Sequence, residues 1–193
     1  LTTIAGLTPN TTYSIQVRFD SPNGKSAASD IFNVTTSIQP VVSITNIPET
    51  IALYEQETHT LSPTVTPTNA SIKTLNYTTS NPTVATVSSS GVITAVSKGA
   101  AIITAKATDG SNKDKVCTVN VKRKVQGVRA LVTALQLKPE TTQKIYYEII
   151  PSTASDTRVT FSSSDTAVAF IEPDGTVVAG NCLGDCEITI QTT

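Results

Sequence analysis

Residues 75–121 read LNYTTSNPTVATVSSSGVITAVSKGAAIITAKATDGSNKDKVCTVNV. Short runs rich in Val, Ile, Thr and Ala alternate in this stretch with pairs of residues that favour turns. The turn pairs are Asn81-Pro82, Ser90-Gly91, Lys98-Gly99 and Asp109-Gly110. Strands this short, separated by turns every few residues, are typical of a β-sandwich of the immunoglobulin (Ig) type. The stretch therefore predicts an all-β fold.

The composition fits several small β domains. The chain has 193 residues, of which 38% are hydrophobic but only 5% aromatic, and it contains neither tryptophan nor methionine. Small aliphatic cores of this kind suit two or three domains of modest size better than one large domain. Thr and Ser are abundant, as is usual in strands that turn one face to water.

The charge and hydropathy patterns argue against several classes of partner. Fourteen basic residues are balanced by fifteen acidic ones, which gives a net charge of −1. We therefore expect no binding to nucleic acid or to an anionic membrane through bulk electrostatics. No apolar run is long enough to cross a bilayer, so we expect no membrane insertion in this segment. The chain opens at Leu1 without a signal peptide, and we expect it to be a segment of a longer polypeptide.

An internal repeat relates residues 41–121 to residues 125–193. A shift of 84 positions superimposes turn and alternate strand residues of the two segments, with one extra residue before Gly184. The matching pairs include Pro67 and Pro151, Ala70 and Ala154, Ser71 and Ser155, Tyr77 and Phe161, Gly91 and Gly175, and Ala95 and Ala179. A period of this length predicts two tandem domains of one fold.

The stretch TSNPTVATVSSSGVITAVSKGAAIITAKATDG closely resembles the bacterial Ig-like group 2 (Big2) domain. The resemblance covers roughly residues 41–193, and it implies a second domain at 41–121 and a third domain at 125–193. Domains of this family occur in bacterial surface proteins, adhesins, wall-associated enzymes and phage virion proteins, usually as spacers or adhesive modules. The resemblance therefore implies a structural or adhesive role, without a specific activity.

The first residues resemble a different module. The pattern GLTPNTTYSIQVRF, followed by NGKSAASDIFNVTT, is similar to the last third of a fibronectin type III domain. That resemblance implies that Tyr13 forms a tyrosine corner, with its hydroxyl bonded to the backbone just upstream. The alternation of Tyr13, Ile15, Val17 and Phe19 predicts that these four side chains share one face of a strand. We expect an N-terminal unit at residues 1–38 that is the C-terminal part of such a domain. The predicted fold class is thus all-β, with tandem Ig-like β-sandwiches: a partial fibronectin III-like unit and two Big2-like domains.

Four residues are predicted to lie in the structural core: Tyr13, Tyr77, Phe161 and Cys117. Tyr77 and Phe161 coincide in the repeat and should occupy equivalent buried sites. Cys117 lies on the inward face of the last strand of the second domain, Val116–Val121. The third domain stops at Thr193 before any counterpart of that strand. We expect either that the chain continues or that another subunit donates the strand.

Catalytic and metal-binding motifs are not evident. His59 is the only histidine, and no nucleophile elbow or set of metal ligands accompanies it; we interpret it as an ordinary strand residue and expect no catalytic residue, metal or cofactor. The scattered carboxylates could hold calcium at a domain junction, but they mostly accompany turns, and turn chemistry is the favoured interpretation. These residues are Asp109, Asp114, Asp156, Asp165, Asp174 and Asp185. The triplet Lys122-Arg123-Lys124 is interpreted as a solvated linker.

Cys182 and Cys186 flank the sequence Leu183-Gly184-Asp185 at a corner between strands. The spacing lets the two sulfurs meet, so a local disulfide is one prediction for an oxidising compartment. Two independent thiols remain the alternative. Half of a four-cysteine zinc site is disfavoured, because the chain has only three cysteines.

These observations together predict a non-enzymatic structural or adhesive surface module. We expect it to belong to a phage virion, as a capsid or tail decoration, or to a bacterial cell-surface protein. Its partners would be other virion or cell-surface subunits and, as a further option, host surface glycans. Its location would be the virion surface or the cell exterior. The alternative is an accessory spacer region of a secreted carbohydrate-active enzyme.

Overall fold

The computed structural model describes residues 4–193, and every regular element in that range is a β-strand. The N-terminal unit contains β1 (Thr12–Ile15), β2 (Asp20–Ser21), β3 (Gly24–Lys25) and β4 (Phe32–Thr35). The second domain contains β5 (Ser43–Thr45), β6 (Thr50–Tyr54), β7 (Thr58–Thr60), β8 (Thr64–Thr66), β9 (Leu75–Thr79), β10 (Ala85–Val87), β11 (Val92–Ala95), β12 (Gly99–Ala107) and β13 (Asp114–Lys122). The third domain contains β14 (Gly127–Ala130), β15 (Thr142–Lys144), β16 (Tyr147–Ile150), β17 (Val159–Ser163), β18 (Ala169–Ile171), β19 (Thr176–Ala179) and β20 (Ile188–Thr192). The predicted all-β fold class is confirmed, and no helix of the described range is long and apolar enough to cross a membrane.

The second domain is a two-layered sandwich. One layer is the four-stranded sheet β6-β13-β12-β9, and the other combines the sheet β10-β11-β7 with the ribbon β5-β8. Alternate residues of β13 point into the core, which leaves Cys117, Val119 and Val121 buried. Within its sheet β13 is central, because it pairs antiparallel with β12 on one side and parallel with β6 on the other.

The third domain repeats this plan with the same spacing. Strands β15, β17, β18 and β19 begin and end 84 residues after β7, β9, β10 and β11. The strand register is also kept: Tyr77 lies opposite Ala105 across β9 and β12, and Phe161 lies opposite Ile190 across β17 and β20. The step from Ala105 to Ile190 is 85 residues, which places the extra residue in the corner between β19 and β20. The repeat predicted from sequence thus extends to individual strand pairs.

Tyr77 and Phe161 occupy the equivalent sites that the repeat predicts. Each ring packs against the core of its own domain. The Tyr77 ring also lies against Gly91, and the Phe161 ring lies against Gly175. Both rings are half-buried, so they lie at the edge of the core rather than in its centre. Burial raises the pKa of the Tyr77 hydroxyl.

The N-terminal unit is a hairpin with little core of its own. Strands β1 and β4 pair antiparallel, and β2 and β3 form a small ribbon. The Thr8 backbone N–H donates to the Tyr13 hydroxyl at 2.8 Å, as a tyrosine corner requires. The first three residues of the predicted unit, 1–3, lie outside the described residues.

The strand that was predicted to carry Tyr13, Ile15, Val17 and Phe19 on one face is shorter in the structure. Strand β1 ends at Ile15, and Tyr13 and Ile15 are only half-buried. Val17 and Phe19 are exposed. The reason is that residues 4–38 supply only a hairpin, and no second sheet of this unit lies over that face within the described range.

Candidate interaction sites

The junction between the second and third domains is built around Arg123 and Glu55. Arg123 follows β13 directly, and Glu55 lies in the turn after β6, where its N–H donates to the Lys122 carbonyl at 2.9 Å. The parallel pairing of β6 with β13 thus brings the two side chains to the same end of the domain. The Arg123 Nε donates to both carboxylate oxygens of Glu55, at 2.9 and 2.8 Å, and the terminal Nη2 lies 2.7 Å from Oε1. Such forked contacts fix geometry better than a single ion pair does.

The same cluster reaches into the third domain. Arg123 Nη1 donates to the Thr153 hydroxyl at 2.8 Å, and Lys98 Nζ donates to the Thr153 carbonyl at 3.0 Å. The Lys98 backbone N–H donates to Glu55 Oε1 at 2.8 Å. The Arg123 guanidinium, with these further donors, holds the pKa of Glu55 below its ordinary value, and Glu55 in turn raises the pKa of Arg123. We call Glu55, Lys98, Arg123 and Thr153 the junction clamp.

Two residues of the basic triplet Lys122-Arg123-Lys124 form ion pairs within the molecule. Lys124 Nζ lies 3.4 Å from Glu57 Oε1 and 4.8 Å from the centroid of the Tyr54 ring. Arg123 and Lys124 are therefore paired within the molecule and do not form a free cationic patch. The interpretation of the triplet as a solvated linker does not hold for Arg123, whose half-buried side chain is paired with Glu55. The Lys124 side chain is 64% exposed and remains solvated.

A second feature of the junction is repeated at both domain boundaries. The Arg123 N–H donates to the Ser155 hydroxyl at 2.9 Å, and the Ser155 N–H donates back to the Arg123 carbonyl at 2.8 Å. The Gln39 N–H and carbonyl make the same two bonds with Ser71, at 2.8 and 2.9 Å. Both residues of the second pair lie 84 positions before those of the first. We call each pair of bonds a linker clasp; the clamp side chains are added only at the later junction.

The third domain has an open sheet edge. Strand β20 pairs with β17, and within residues 4–193 its other side has no strand partner. A cavity of about 510 Å³ lies beside that edge and is lined by residues of the segment 130–139 and of the corner 182–188. In the second domain, the corresponding space is filled by β13.

Two apolar side chains that are buried in the second domain have exposed counterparts in the third domain. Ile47 and Ile51 are 6% and 8% exposed in the second domain. Their counterparts 84 residues later, Leu131 and Leu135, are 51% and 40% exposed. The segment 134–138, which corresponds to β6, forms no strand. Apolar side chains that are core residues in one copy therefore face water in the other.

Four of the six candidate carboxylates accept hydrogen bonds or form ion pairs within the chain, and the other two, Asp114 and Asp185, are exposed. Among the described residues no three His, Cys, Asp or Glu side chains gather in a way that could hold a metal ion. Asp109 accepts a bond from the Val41 N–H at 2.5 Å, and Asp165 accepts one from the Ala167 N–H at 2.9 Å. Lys144 Nζ lies 3.3 Å from Asp174. The forked contact with Arg158 lowers the pKa of Asp156 to about 2.

The remaining predicted residues are placed as follows. His59 lies in β7 opposite Ile93 of β11 and is half-buried. Cys117 is fully buried in β13, and burial raises the pKa of its thiol. Cys182 and Cys186 are both free thiols in the structure, the first exposed and the second half-buried. Their disulfide is not formed here and stays a prediction.

Sequence reasoning did not single out Glu55, Thr153 or the role of Ser155. Glu55 and Arg123 are 68 positions apart, and only the parallel pairing of β6 and β13 brings them together. One signal was present: Ser71 and Ser155 coincide in the 84-residue repeat.

Comparison with known proteins follows the same division of the chain. The family described as "Bacterial Ig-like domain (group 2)" matches residues 40–119 and 124–191. An uncharacterized protein of Clostridium acetobutylicum is 32% identical over 127 residues, which is 66% of this chain and 13% of that protein. An Ig-like virion protein of Serratia phage KSP90 is 38% identical over 89 residues, which is 46% of this chain and 34% of that protein. The chain thus spans about an eighth and a third of the lengths of these two relatives.

Solved structures match the chain with low TM-scores and low sequence identity. Cadherin domains 3–6 of protocadherin gamma B2 match 94% of this chain and 55% of their own with a TM-score of 0.48 and 12% identity. Immunoglobulin domains 1–4 of Sidekick-1 match 96% of this chain and 59% of their own with a TM-score of 0.47 and 9% identity.

Proposed function

Because the chain belongs to the bacterial Ig-like domain (group 2) family, we propose that it is a non-enzymatic structural module displayed on the surface of a phage particle. In this role its tandem domains project from the particle and hold a fixed orientation to one another. Its partners are other virion subunits, and surface glycans of the host are candidate ligands at the exposed domain end. The similarity to the Ig-like virion protein of Serratia phage KSP90 supports a particle over a bacterial envelope.

The junction clamp carries this proposal. A spacer that only tethers a catalytic domain works with a flexible linker, whereas a projecting arm needs joints that resist bending. Here the linker residue Arg123 bonds to Glu55 of the second domain and to Thr153 of the third, and the linker clasp at Ser155 fixes the backbone between them. Side-chain and main-chain bonds on both sides of one residue leave it little freedom to rotate.

The location can be tested on phage particles whose genome encodes the chain. Antibodies raised against residues 41–193 should label the outside of purified particles in immunogold electron microscopy. Particles of a deletion mutant, carrying no label, are the control. Label confined to host cell walls or to the culture medium would contradict a virion role.

The rigid joint can be tested separately in solution. Replacing Arg123 with Ala removes the clamp, and small-angle scattering should then show a broader distribution of domain orientations. Arg158→Ala is the matched control, since Arg158 makes a comparable forked contact, to Asp156, within the third domain. Equal scattering from the wild-type chain and both variants would contradict the role of the clamp.

A further inference from the structure

We propose that the outward face of the sheet β15-β19-β18 in the third domain binds a neutral oligosaccharide. Two exposed aromatic rings of this face stack on sugar rings, and the polar side chains between them bond to sugar hydroxyls. The site lies on the side of the domain and adds to the domain end named in the proposed function. The inference rests on that function only for the source of the glycan.

The face is formed by alternate residues of three strands and by the turns next to them. Thr142 lies opposite Val178, and Val178 lies opposite Phe170. The intervening Val177 points the other way and is buried in the core. The Ile145 N–H donates to the Gly175 carbonyl at 3.0 Å, which places the next residue beside the turn 172–175. We call the outward set the aromatic face: Thr142, Lys144, Tyr146, Phe170, Glu172, Asp174, Thr176 and Val178.

This layer has the same three strands in both domains. In the second domain, β7, β11 and β10 pair in the same register as β15, β19 and β18. Strand β13 joins the opposite layer there. The aromatic face therefore has a full counterpart in the second domain, and its residues can be compared position by position.

The two copies differ in the chemistry of this face. In the second domain seven of the eight equivalent positions are Ser or Thr: Thr58, Thr60, Ser62, Thr86, Ser88, Ser90 and Thr94. In the third domain Tyr146 and Phe170 replace two of these hydroxyl side chains. Charged side chains replace three more. The second domain folds with hydroxyl groups alone on this face, so the aromatic and charged residues indicate a contact outside the domain.

The two rings are available to a ligand. Tyr146 is 61% exposed and Phe170 is 42% exposed. Two strand spacings across the sheet and four residues along it separate their backbones by on the order of 15 Å. Flat aromatic rings cover the C–H faces of sugar rings and remove apolar area from water. This separation suits a short oligosaccharide that contacts both rings.

Polar groups lie between the rings. Lys144 Nζ is 3.3 Å from the Asp174 carboxylate, and both side chains remain about half exposed. The Thr176 N–H donates to Asp174 Oδ1 at 2.9 Å, which fixes the carboxylate on the sheet. Glu172 forms no ion pair with any residue in the range 4–193. Carboxylates accept hydrogen bonds from hydroxyl groups, and such charge-assisted bonds are strong.

Charge selects a neutral ligand. Lys144 and Asp174 neutralise each other, and Glu172 leaves the aromatic face with one negative charge more than it has positive charges. A uronate, sulfate or phosphate group on the glycan would be repelled by this carboxylate. Sugar hydroxyls can donate to it without that cost.

The experiment uses the full chain on a printed array of oligosaccharides. The neutral set contains oligomers of hexoses and of N-acetylhexosamines, and the anionic set carries uronic acids, sulfate or phosphate. The chain should bind at least one neutral oligosaccharide and should bind its anionic counterpart more weakly. NMR with the strongest neutral oligosaccharide should then show chemical-shift changes at amides of β15, β18 and β19.

Variants test the two rings without disturbing the fold. Tyr146→Ser and Phe170→Thr introduce the residues that the second domain has at the same positions. Each variant should weaken binding about fivefold to thirtyfold, measured by isothermal titration. Phe32→Thr is the matched control, because Phe32 is 47% exposed but lies on β4 of the N-terminal unit. It should leave the affinity unchanged.

Three results would overturn the inference. They are no binding to any neutral oligosaccharide, stronger binding to the anionic set, and wild-type affinity in the Tyr146→Ser/Phe170→Thr double variant. The outcome is separate from that of the proposed function. Glycan binding by a chain that does not label phage particles would contradict the virion role alone, and labelled particles without glycan binding would contradict the aromatic face alone.

Discussion

The second and third domains have nearly the same strand plan but very different cores. In the second domain eighteen buried residues form one cluster, whereas in the third the corresponding cluster contains Ile145, Ala169 and Val177. Strands β15, β17, β18 and β19 begin and end at positions that match β7, β9, β10 and β11, so most of the strand plan is shared. The difference follows from β13, which exists in one domain and has no counterpart among the described residues of the other.

A central strand contributes more than its own side chains. Strand β13 buries Cys117, Val119 and Val121, and full burial of an apolar side chain of this size is worth about 1.5–3 kcal/mol. It also gives β6 a pairing partner and covers the residues beneath. Losing one strand thus exposes residues on two neighbouring segments, which is why the cores differ by more than three side chains.

The largest expected effect comes from a matched pair of core truncations. Ile103 is 1% exposed, and Ile188 at the equivalent position is half-buried. Ile103→Ala should destabilise the second domain by about 3–4 kcal/mol, because it leaves a cavity in a closed core. Ile188→Ala should destabilise the third domain by only about 1–2 kcal/mol, since water already reaches that site. Hydrogen exchange of slowly exchanging amides measures both domains in one sample; equal losses would contradict the difference between the cores.

A second test concerns the corner that is one residue longer in the third domain. We predict that Cys182 and Cys186 form a disulfide under oxidising conditions and stabilise this domain by about 2 kcal/mol or less, because so short a loop restricts the unfolded chain little. Mass spectrometry of non-reduced peptides measures the linkage, and reduction should lower the midpoint of unfolding of the third domain alone. Buried Cys117 is the internal control and should stay unmodified until the second domain unfolds. Two free thiols in the native protein would refute the prediction.

A third test uses the glycines that face Tyr77 and Phe161. Gly91 and Gly175 have φ values of 80° and 87°, which favour glycine, and an added Cβ would lie 3.1 Å from the Tyr77 ring but 3.4 Å from the Phe161 ring. Gly91→Ala should destabilise its domain by about 1–2 kcal/mol and Gly175→Ala by about 1 kcal/mol. Urea denaturation of the two single variants measures the difference. A larger loss for Gly175→Ala would contradict the tighter packing of the second domain.

The smallest effect is expected at the junction clamp, which only the second domain can form. The residue equivalent to Glu55 in the third domain is Pro139, which has no carboxylate. Because Arg123 holds the pKa of Glu55 below its ordinary value of 4.5, the clamp stabilises the junction above that pH. This stabilisation is lost as the pH falls through the lowered pKa of the folded state. In an NMR titration, the chemical shift of the Arg123 Nε–H should change below about pH 4.5, as Glu55 becomes protonated.

The control for the titration is Glu55→Gln, which keeps most of the shape of the side chain and removes its charge. Its Arg123 signal should be independent of pH over the same range. A wild-type signal that moves only above pH 5 would contradict the assignment of the transition to Glu55.

The sequence predicted what depends on local pattern. Turn pairs such as Ser90-Gly91 and the alternation of apolar residues were sufficient for the fold class and the repeat. The tyrosine corner of Tyr13 was implied by the resemblance of the first residues to a fibronectin type III domain, and its partner Thr8 lies five residues away. In each case the interacting residues are close in the chain or recur at a constant spacing.

What could not be predicted depends on distant pairing. The segment 134–138 has the same order as β6 but is not a strand, because a strand in that position needs a neighbour such as β13 to accept its hydrogen bonds. Likewise, Glu55 meets Arg123 only after β6 and β13 have paired. Neither outcome can be derived from propensity or from a motif.

The linker clasp has a consequence for how arrays of these domains can grow. Each domain carries a serine, Ser71 or Ser155, whose hydroxyl accepts a hydrogen bond from the backbone of a residue just before the domain. The serine half of each linker clasp is therefore part of the domain itself. Gln39 and Arg123 serve equally well, because the bonds use only their N–H and carbonyl groups. Duplicating the 84-residue segment would therefore add a domain together with a working joint, and recombination could lengthen the arm in equal steps without redesigning any interface.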